Sequence, residues 1–296
     1  MRPVYFVGAG PGDPELLTLK AARLLAAADV VVYAGSLINP ELLRYVRAGA
    51  ELHDSSGLIL EEMVDLMARA WRAGLTVVRL HSGDPGLYGA VREQIEALER
   101  LGIPSEVVPG VSSFLAAAAA LRREYTLPGT SQTVILTRLE GRTPVPATEK
   151  LAELARHRAS LCLFLSVHMI DRVVEELRQG YPASTPVAVV ERVSWPDERV
   201  VLGTLEDIAA RVKEAGINRT ALILVGEFLR ASAVACRLYS TDFTHGYRAG
   251  RSCAHGTGGA EAAPGGTGPP PGDSGTRDPA EAGDAPRRNG PVREAE

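Results

Sequence analysis

The stretch that most limits how this chain can fold is its start, Val4-Tyr-Phe-Val-Gly-Ala-Gly-Pro-Gly-Asp13. Residues 4–8 read as a buried strand, and a Gly/Pro turn follows at once. Pro14, Glu15 and Thr18 then open an amphipathic helix, because proline suits a first helical turn and an acid there favours the helix dipole. Strand, glycine turn and helix start together form the usual frame of a phosphate cradle. The spacing argues against one. Gly8-x-Gly10 is present, but a third fingerprint glycine would fall at position 13, where Asp13 puts a carboxylate. No acid ends the second apolar run, Val30-Val-Val-Tyr33, to hold a ribose, and no Lys-Ser/Thr closes the turn. The competing reading is a tight turn made by Gly and Pro alone.

The alternation continues. Strands are expected at 29–33, 51–53, 75–81 and 105–108, with helices at 40–47, 60–73, 90–101 and 114–121. Met63, Leu66, Met67 and Ala70 form the apolar face of the 60–73 helix, and Gly74 stops it. Leu75, Val77, Val78 and Leu80 give residues 75–81 the near-continuous apolar character of a central parallel strand. A doubly wound α/β first half, residues 1–121, follows from this order. Residues 122–248 read as a second, mixed α/β domain. Its strands fall at 132–137, 160–166, 185–191, 199–203 and 220–225, and its helices at 148–156, 169–179 and from Thr204 to 215. The short loop Val193-Ser-Trp-Pro-Asp197 makes an antiparallel pair of the strands it joins.

All aromatic residues of the 296-residue chain lie before position 249. Residues 249–296 are rich in Gly, Pro, Ala and charge, so they cannot bury enough apolar surface to offset the entropy of ordering, and a disordered tail is expected. The net charge of −4 speaks against a general nucleic-acid binder. Cys162, Cys236 and Cys253 are scattered without CxxC or His pairing, which fits a reducing cytoplasm and no metal set. No signal peptide and no apolar run of membrane-spanning length is visible.

In open α/β sheets, ligands sit beyond the carboxyl ends of strands. Unusual turns occupy four such ends: residues 8–13, 82–89, 109–113 and 166–168. In the second, Gly83 allows close approach to backbone, while Asp84 is either a ligand contact or the acceptor of an Asx-turn before Pro85. His81 ends a core strand and is either a structural residue or a base. Arg138-Leu-Glu-Gly-Arg-Thr143, with Arg122 and Arg123, is either a solvated charge cluster or a set of guanidinium forks for carboxylates. No Ser-His-Asp order, HExxH or paired-carboxylate pattern is present, so a cofactor and a reactive substrate must supply the chemistry.

Six stretches taken together carry a resemblance. They are Val-Gly-Ala-Gly-Pro-Gly-Asp-Pro (7–14), Leu-His-Ser-Gly-Asp-Pro-Gly-Leu-Tyr-Gly (80–89), Val-Val-Pro-Gly-Val-Ser-Ser-Phe (107–114), Ser-Gln-Thr-Val-Ile-Leu-Thr-Arg-Leu-Glu-Gly-Arg-Thr-Pro-Val-Pro (131–146), Leu-Ser-Val-His-Met-Ile-Asp (165–171) and Asp-Phe-Thr-His-Gly-Tyr-Arg (242–248). Over residues 3 to about 248 the chain resembles the tetrapyrrole methyltransferases of cobalamin synthesis, and within them the branch that methylates C11 of precorrin-4 or cobalt-precorrin-4. The resemblance implies two α/β domains, a homodimer, S-adenosylmethionine in the cleft between the domains and the macrocycle in an adjoining trough. It also implies that Pro11, Ser82, Gly83, Asp84, Tyr88, Ser112, Ser113, Ser166, Val193 and Ala221 line the cofactor site. Arg122, Arg138, Arg142 and His168 are expected to hold the substrate's carboxylates. Asp84, Asp13 and His81 are the catalytic candidates, with Glu140 as a further possible base and Asp13 either facing substrate or capping its own helix. Alternatives are methylation of another position of a corrin precursor, a non-catalytic binder of the same fold, and an RNA or protein substrate.

Overall fold

The computed structural model describes residues 2–231, 240–241, 243–244 and 246–249. Apart from Ala249, the expected tail lies outside the described residues, as does part of the 242–248 motif.

Five strands form the first sheet: β1 (Val4–Gly8), β2 (Val30–Tyr33), β3 (Glu51–Asp54), β4 (Val77–His81) and β5 (Ser105–Val108). All pair in parallel, in the order β3-β2-β4-β1-β5. β4 is buried at every position, Arg79 and His81 included, as befits a central parallel strand. Helix α1 (Leu19–Ala27) carries the chain from β1 to β2 on one face; α2 (Leu60–Arg72) and α3 (Val91–Arg100) cover the other. Val7, Leu25 and Val31 pack on the α1 side, and Phe6, Val32, Met67 and Leu98 on the α2/α3 side, which is the period of two turned into two cores. Because β1 sits beside β4 while their connections leave in opposite directions, the carboxyl ends of these two strands flank a switch point.

Local details differ from the sequence expectation. After Asp13 the chain makes one 3-10 turn (Pro14–Leu16), and α1 begins only after Thr18, whose hydroxyl accepts from Ala21 N–H (3.2 Å). The segment from Pro40 is also a 3-10 helix, Pro40–Tyr45. On α2 the buried stripe is Val64, Met67 and Ala68; Met63, Leu66 and Ala70 flank it.

The second sheet contains β6 (Val134–Arg138), β7 (Ser160–Phe164), β8 (Pro186–Glu191), β9 (Arg199–Thr204) and β10 (Ala221–Val225), in the order β6-β7-β10-β8-β9. Only β6–β7 is parallel. The expected β8–β9 hairpin is present, and the last strand enters the middle of the sheet. Helices α5 (Leu151–Ala155), α6 (Ile170–Leu177) and α7 (Ile208–Glu214) cover one face. α7 starts a turn later than expected, because Thr204 ends β9 and Asp207 Oδ1 accepts the Thr204 N–H (2.7 Å). Helix α4 (Ser113–Leu121) packs Ala116, Ala117 and Ala118 against the other face, beside Tyr125 and Phe228. The helix expected to close the first half is therefore part of the second core. No helix among the described residues is long and apolar enough to cross a membrane.

Candidate active site

Three turns meet at the carboxyl ends of β4, β1 and β5. Gly10 and Gly83 form an isolated antiparallel bridge, with Gly83 N–H donating to Gly10 O (2.8 Å) and Gly10 N–H donating to Gly83 O (3.2 Å). Gly8 and Gly110 touch through their Cα atoms: a Cβ on Gly110 would lie 2.2 Å from Gly83 O and 2.8 Å from Gly8 Cα. Only glycines allow this stack of backbone on backbone. Gly83, with φ of +63°, faces Ser112 and Ser113, whose backbone lies 3.7 Å from where its Cβ would be. Residues 8–13, 82–89 and 109–113 contain no Lys or Arg and two Asp.

Asp84 fastens two of these turns. Its Oδ2 accepts Gly110 N–H (2.8 Å) and its Oδ1 accepts Gly86 N–H (2.8 Å). The second bond is the Asx-turn, so the carboxylate clips the second and third turns together. Asp13 Oδ1 accepts Glu15 N–H (2.8 Å) at the start of the 3-10 turn. Asp13 thus caps the turn that leads into α1, as the capping alternative expects. Ser82 is exposed at the rim, and Ser112 is buried at the N-terminus of α4 without a side-chain cap bond.

His81 points away from the turns. It is 6% exposed, its ring centroid lies 5.9 Å from that of Phe6, and its Nε2 has no partner. Burial, and then the Arg79 charge, push its pKa down to about 3. A group sealed on the α3 side of the sheet cannot take a proton from a ligand in the cleft, so the catalytic reading of His81 is corrected. Arg79 is buried too, donating to Gln94 Oε1 (3.2 Å) and Val32 O (3.2 Å); burial lowers its pKa to about 10, which leaves it charged.

The second half reaches this site at two places. The β8–β9 loop lies on the first turn: Trp195 Nε1 donates to Pro11 O (3.1 Å), and Asp13 N–H donates to Ser194 Oγ (2.9 Å). In sequence this loop reads as a hairpin connector with Val193 at the cofactor site, and its Trp-Pro pair is the one signal of the contact made by Ser194 and Trp195. Asn39, just before the Pro40–Tyr45 helix, donates to Gly12 O (2.8 Å). At the second place the Tyr88 ring lies 5.2 Å from Phe164 at the end of β7. Burial raises the Tyr88 pKa, and the nearby Arg138 charge opposes that rise. Tyr88 (φ 55°) and Leu165 (φ 53°) both hold left-handed backbone, and Leu165 is 62% exposed. A groove of about 640 Å³ runs from Tyr88 between Pro85 and α3, bounded by Val107.

Other expected site residues are placed differently. Ser166 is fully buried: its hydroxyl donates to Phe164 O (2.6 Å) and accepts Leu139 N–H (2.8 Å), so it ties β6 to β7 and has no free proton for a ligand. Val193 turns its side chain into the second core, and Ala221 opens β10, paired with Glu191, so both can offer only backbone. Arg138 donates to the carbonyls of Thr143 (3.1 Å) and Pro144 (2.7 Å), which makes it the brace of its own loop rather than an open fork. Arg122, Arg142 and His168 are exposed. Gly141 lies against Met169, which brings the 138–146 loop beside the His168 turn.

These turns suit a particular ligand chemistry. The N–H groups that would cradle a phosphate at Ala9, Gly10, Gly83 and Gly110 are already bonded to His81 O, Gly83 O, Gly10 O and Asp84 Oδ2. Beside them stand carbonyl oxygens, two carboxylates, apolar glycine faces and the N-terminal backbone of α4 at Ser112 and Ser113, which no side chain caps; with no Lys or Arg in these turns, the environment suits a cation or a neutral ligand better than a phosphate. The family model for Tetrapyrrole (Corrin/Porphyrin) Methylases matches residues 3–209. The chain belongs to this family. It is 54% identical over 249 residues to the Cobalt-precorrin-4 C(11)-methyltransferase of Methanocaldococcus jannaschii, covering 83% of this chain and 96% of that protein. It is 52% identical over 248 residues to the Precorrin-4 C(11)-methyltransferase of Pseudomonas aeruginosa, covering 83% and 99%. Among solved structures, a cobalt precorrin-4 methyltransferase of cobalamin biosynthesis superposes with a TM-score of 0.75 at 48% identity, covering 77% of this chain and 96% of that one. The uroporphyrin-III C-methyltransferase of Thermus thermophilus, complexed with S-adenosylhomocysteine, gives 0.66 at 36% identity, covering 77% and 99%. As a tetrapyrrole methylase, the chain has the two-sheet α/β architecture on which its carboxyl-end turns are built.

Proposed function

We propose that the protein transfers the methyl group of S-adenosylmethionine to C11 of precorrin-4 or cobalt-precorrin-4 during construction of the corrin ring. The observation that carries this reading is the cluster of glycine turns without Lys or Arg, with the amides of Ala9, Gly10, Gly83 and Gly110 internally bonded, in a chain that matches two C11-methyltransferases over 96% and 99% of their lengths. S-adenosylmethionine, when bound, supplies an activated methyl on a cationic sulfur. The work left to the protein is alignment, which can contribute roughly 7–11 kcal/mol when two reactants are held in line.

In this proposal Pro11, Gly83, Ser112 and Ser113 present backbone to the methyl donor, with Ser82 and Tyr88 at the rim. Val193 and Ala221 offer only backbone from the second half. Asp84 keeps the second and third turns together and adds a negative field near the sulfonium. Arg122, Arg142 and His168, which are exposed, meet acetate and propionate groups of the macrocycle, while Arg138 stiffens the loop that carries Arg142. A cytoplasmic homodimer completes the proposal; sedimentation velocity and cell fractionation test those two parts.

The deciding experiment incubates the protein with S-adenosylmethionine and either the metal-free or the cobalt-containing substrate. A product heavier by one methylene unit, with its new methyl assigned to C11 by carbon-13 NMR, is expected from one of the two substrates. Binding of S-adenosylhomocysteine with no methylated product from either would instead favour a non-catalytic binder of the same fold.

A further inference from the structure

The turn after β1 is gripped from outside by a loop far away in the chain. Trp195 Nε1 holds Pro11 O at 3.1 Å and Ser194 Oγ holds Asp13 N–H at 2.9 Å, across 184 and 181 residues. With Asn39 on Gly12 O at 2.8 Å, three consecutive residues of the turn each have a backbone group bonded to an external side chain. The fit leaves no slack: a Cβ on Gly12 would lie 2.1 Å from Trp195 Cδ1.

The gripping loop is itself rigidly built. The Arg192 guanidinium lies over the Trp195 ring at 4.2 Å and pairs with Asp197 at 2.7 Å. Glu198 Oε2 accepts Ser194 N–H at 2.7 Å. Arg192 (φ 48°) and Ser194 (φ 64°) both hold left-handed backbone, which non-glycine residues keep only where their surroundings over-determine it. Joining two antiparallel strands requires none of this. The loop has the form of a fixed arm whose two polar atoms end on the first strand-end turn.

We infer that Ser194 and Trp195 are positioning residues for methyl transfer: they set where the Pro11 turn stands relative to the second half, and so the width of the cleft that holds the methyl donor. This rests on the proposed function above. Neither side chain needs to touch a reactant, because both act through Pro11, Gly12 and Asp13.

The test uses the full chain and the variants Trp195→Phe, which keeps a ring but removes the N–H, and Ser194→Ala, which removes the acceptor. Binding of S-adenosylhomocysteine is measured by calorimetry, together with KM, kcat and thermal stability. Each variant is expected to raise Kd and the KM for S-adenosylmethionine about tenfold or more, with melting within a few degrees of the parent. A purely structural role would lower the active fraction and leave KM unchanged. Parent-like Kd and KM in both variants overturn the inference alone. If Trp195→Phe fails to fold, Ser194→Ala decides. If the unaltered protein binds no S-adenosylhomocysteine, the methyltransferase reading falls, and this inference falls with it.

Discussion

Asp84→Asn separates two roles that a carboxylate in this cleft could have. Its oxygens accept Gly110 N–H and Gly86 N–H, both at 2.8 Å. Asparagine has one oxygen, so its amide group must face one of the two donors. Hydrogen bonds to a charged acceptor contribute about 1.5–3 kcal/mol each, and the Gly86 amide is exposed enough for water to replace its partner. A net loss of about 2 kcal/mol follows, which for a domain pair of this size lowers Tm by roughly 4–8 °C. Loosening the turns weakens S-adenosylmethionine and S-adenosylhomocysteine alike. A carboxylate facing the sulfonium would behave differently. At about 5 Å and an effective dielectric constant near 20, that pair is worth about 3 kcal/mol, and only the cationic ligand loses it. Calorimetry with both ligands, beside a thermal melt, gives the answer. The clip role predicts a lower Tm and a ratio of the two affinities that stays within about threefold. An unchanged Tm with a selective loss of S-adenosylmethionine binding of about a hundredfold would refute it.

Gly110→Ala places a Cβ 2.2 Å from Gly83 O, a backbone atom that cannot swing aside, so the cost should reach or pass the usual 1–3 kcal/mol of overpacking; a parent-like melting curve and S-adenosylhomocysteine affinity would count against the stacked-turn account. Ser166→Ala removes two buried hydrogen bonds and should cost about 1–3 kcal/mol in urea unfolding while leaving ligand affinity intact; lost affinity at full stability would return Ser166 to the cofactor site. His81 is a base whose folded pKa of about 3 lies below its unfolded 6.5. The unfolded chain therefore binds the extra proton between those values. The stability this contributes is complete above pH 6.5 and falls by up to about 1.4 kcal/mol per pH unit on acidification towards pH 3. His81→Leu should flatten the pH dependence by that amount, and identical slopes in pH-dependent urea titrations would contradict the assignment.

The elements that sequence revealed are those whose signal is local. Val77, Val78 and Leu80 of β4 announced a central parallel strand, and the short loop after β8 announced a hairpin. Phase was harder. On α2, apolar residues at 63, 64, 66, 67, 68 and 70 span a face wide enough to be centred one residue off, on Met63 rather than Val64. Thr204 and Asp207 are both capping types three residues apart, so α7 could be started at either. α4, Ser-Phe-Leu followed by five alanines and Leu121, has no polar stripe to orient it, and only packing shows that it belongs with Tyr125 and Phe228. At the site, composition disclosed the glycine turns, since their conformational demand is written in residue type. It could not disclose partners. The bonds from Trp195 and Ser194 to the first turn span 184 and 181 residues, and Arg138 looked free until the carbonyls of its own loop were placed around it.

A glycine-rich turn at a switch point is usually an anion site because its amides point outwards and are unsatisfied. Here the amides of Gly10 and Gly83 satisfy each other's carbonyls, and that of Gly110 is held by a carboxylate. The mutual bonding follows from sequence. With glycine at 8, 10, 83 and 110, the β1, β4 and β5 turns approach until backbone meets backbone, and donors that would face a ligand face one another. The same closeness thins the cleft floor and gathers Asp13 and Asp84 with no compensating cation in these turns. Close packing of three turns thus withdraws the amides of Gly10, Gly83 and Gly110 from any phosphate and sets them beside two acids, a field that favours a sulfonium. A third fingerprint glycine in place of Asp13 would remove one of the two acids but would not restore the cradle, because the donors would still be bonded to each other.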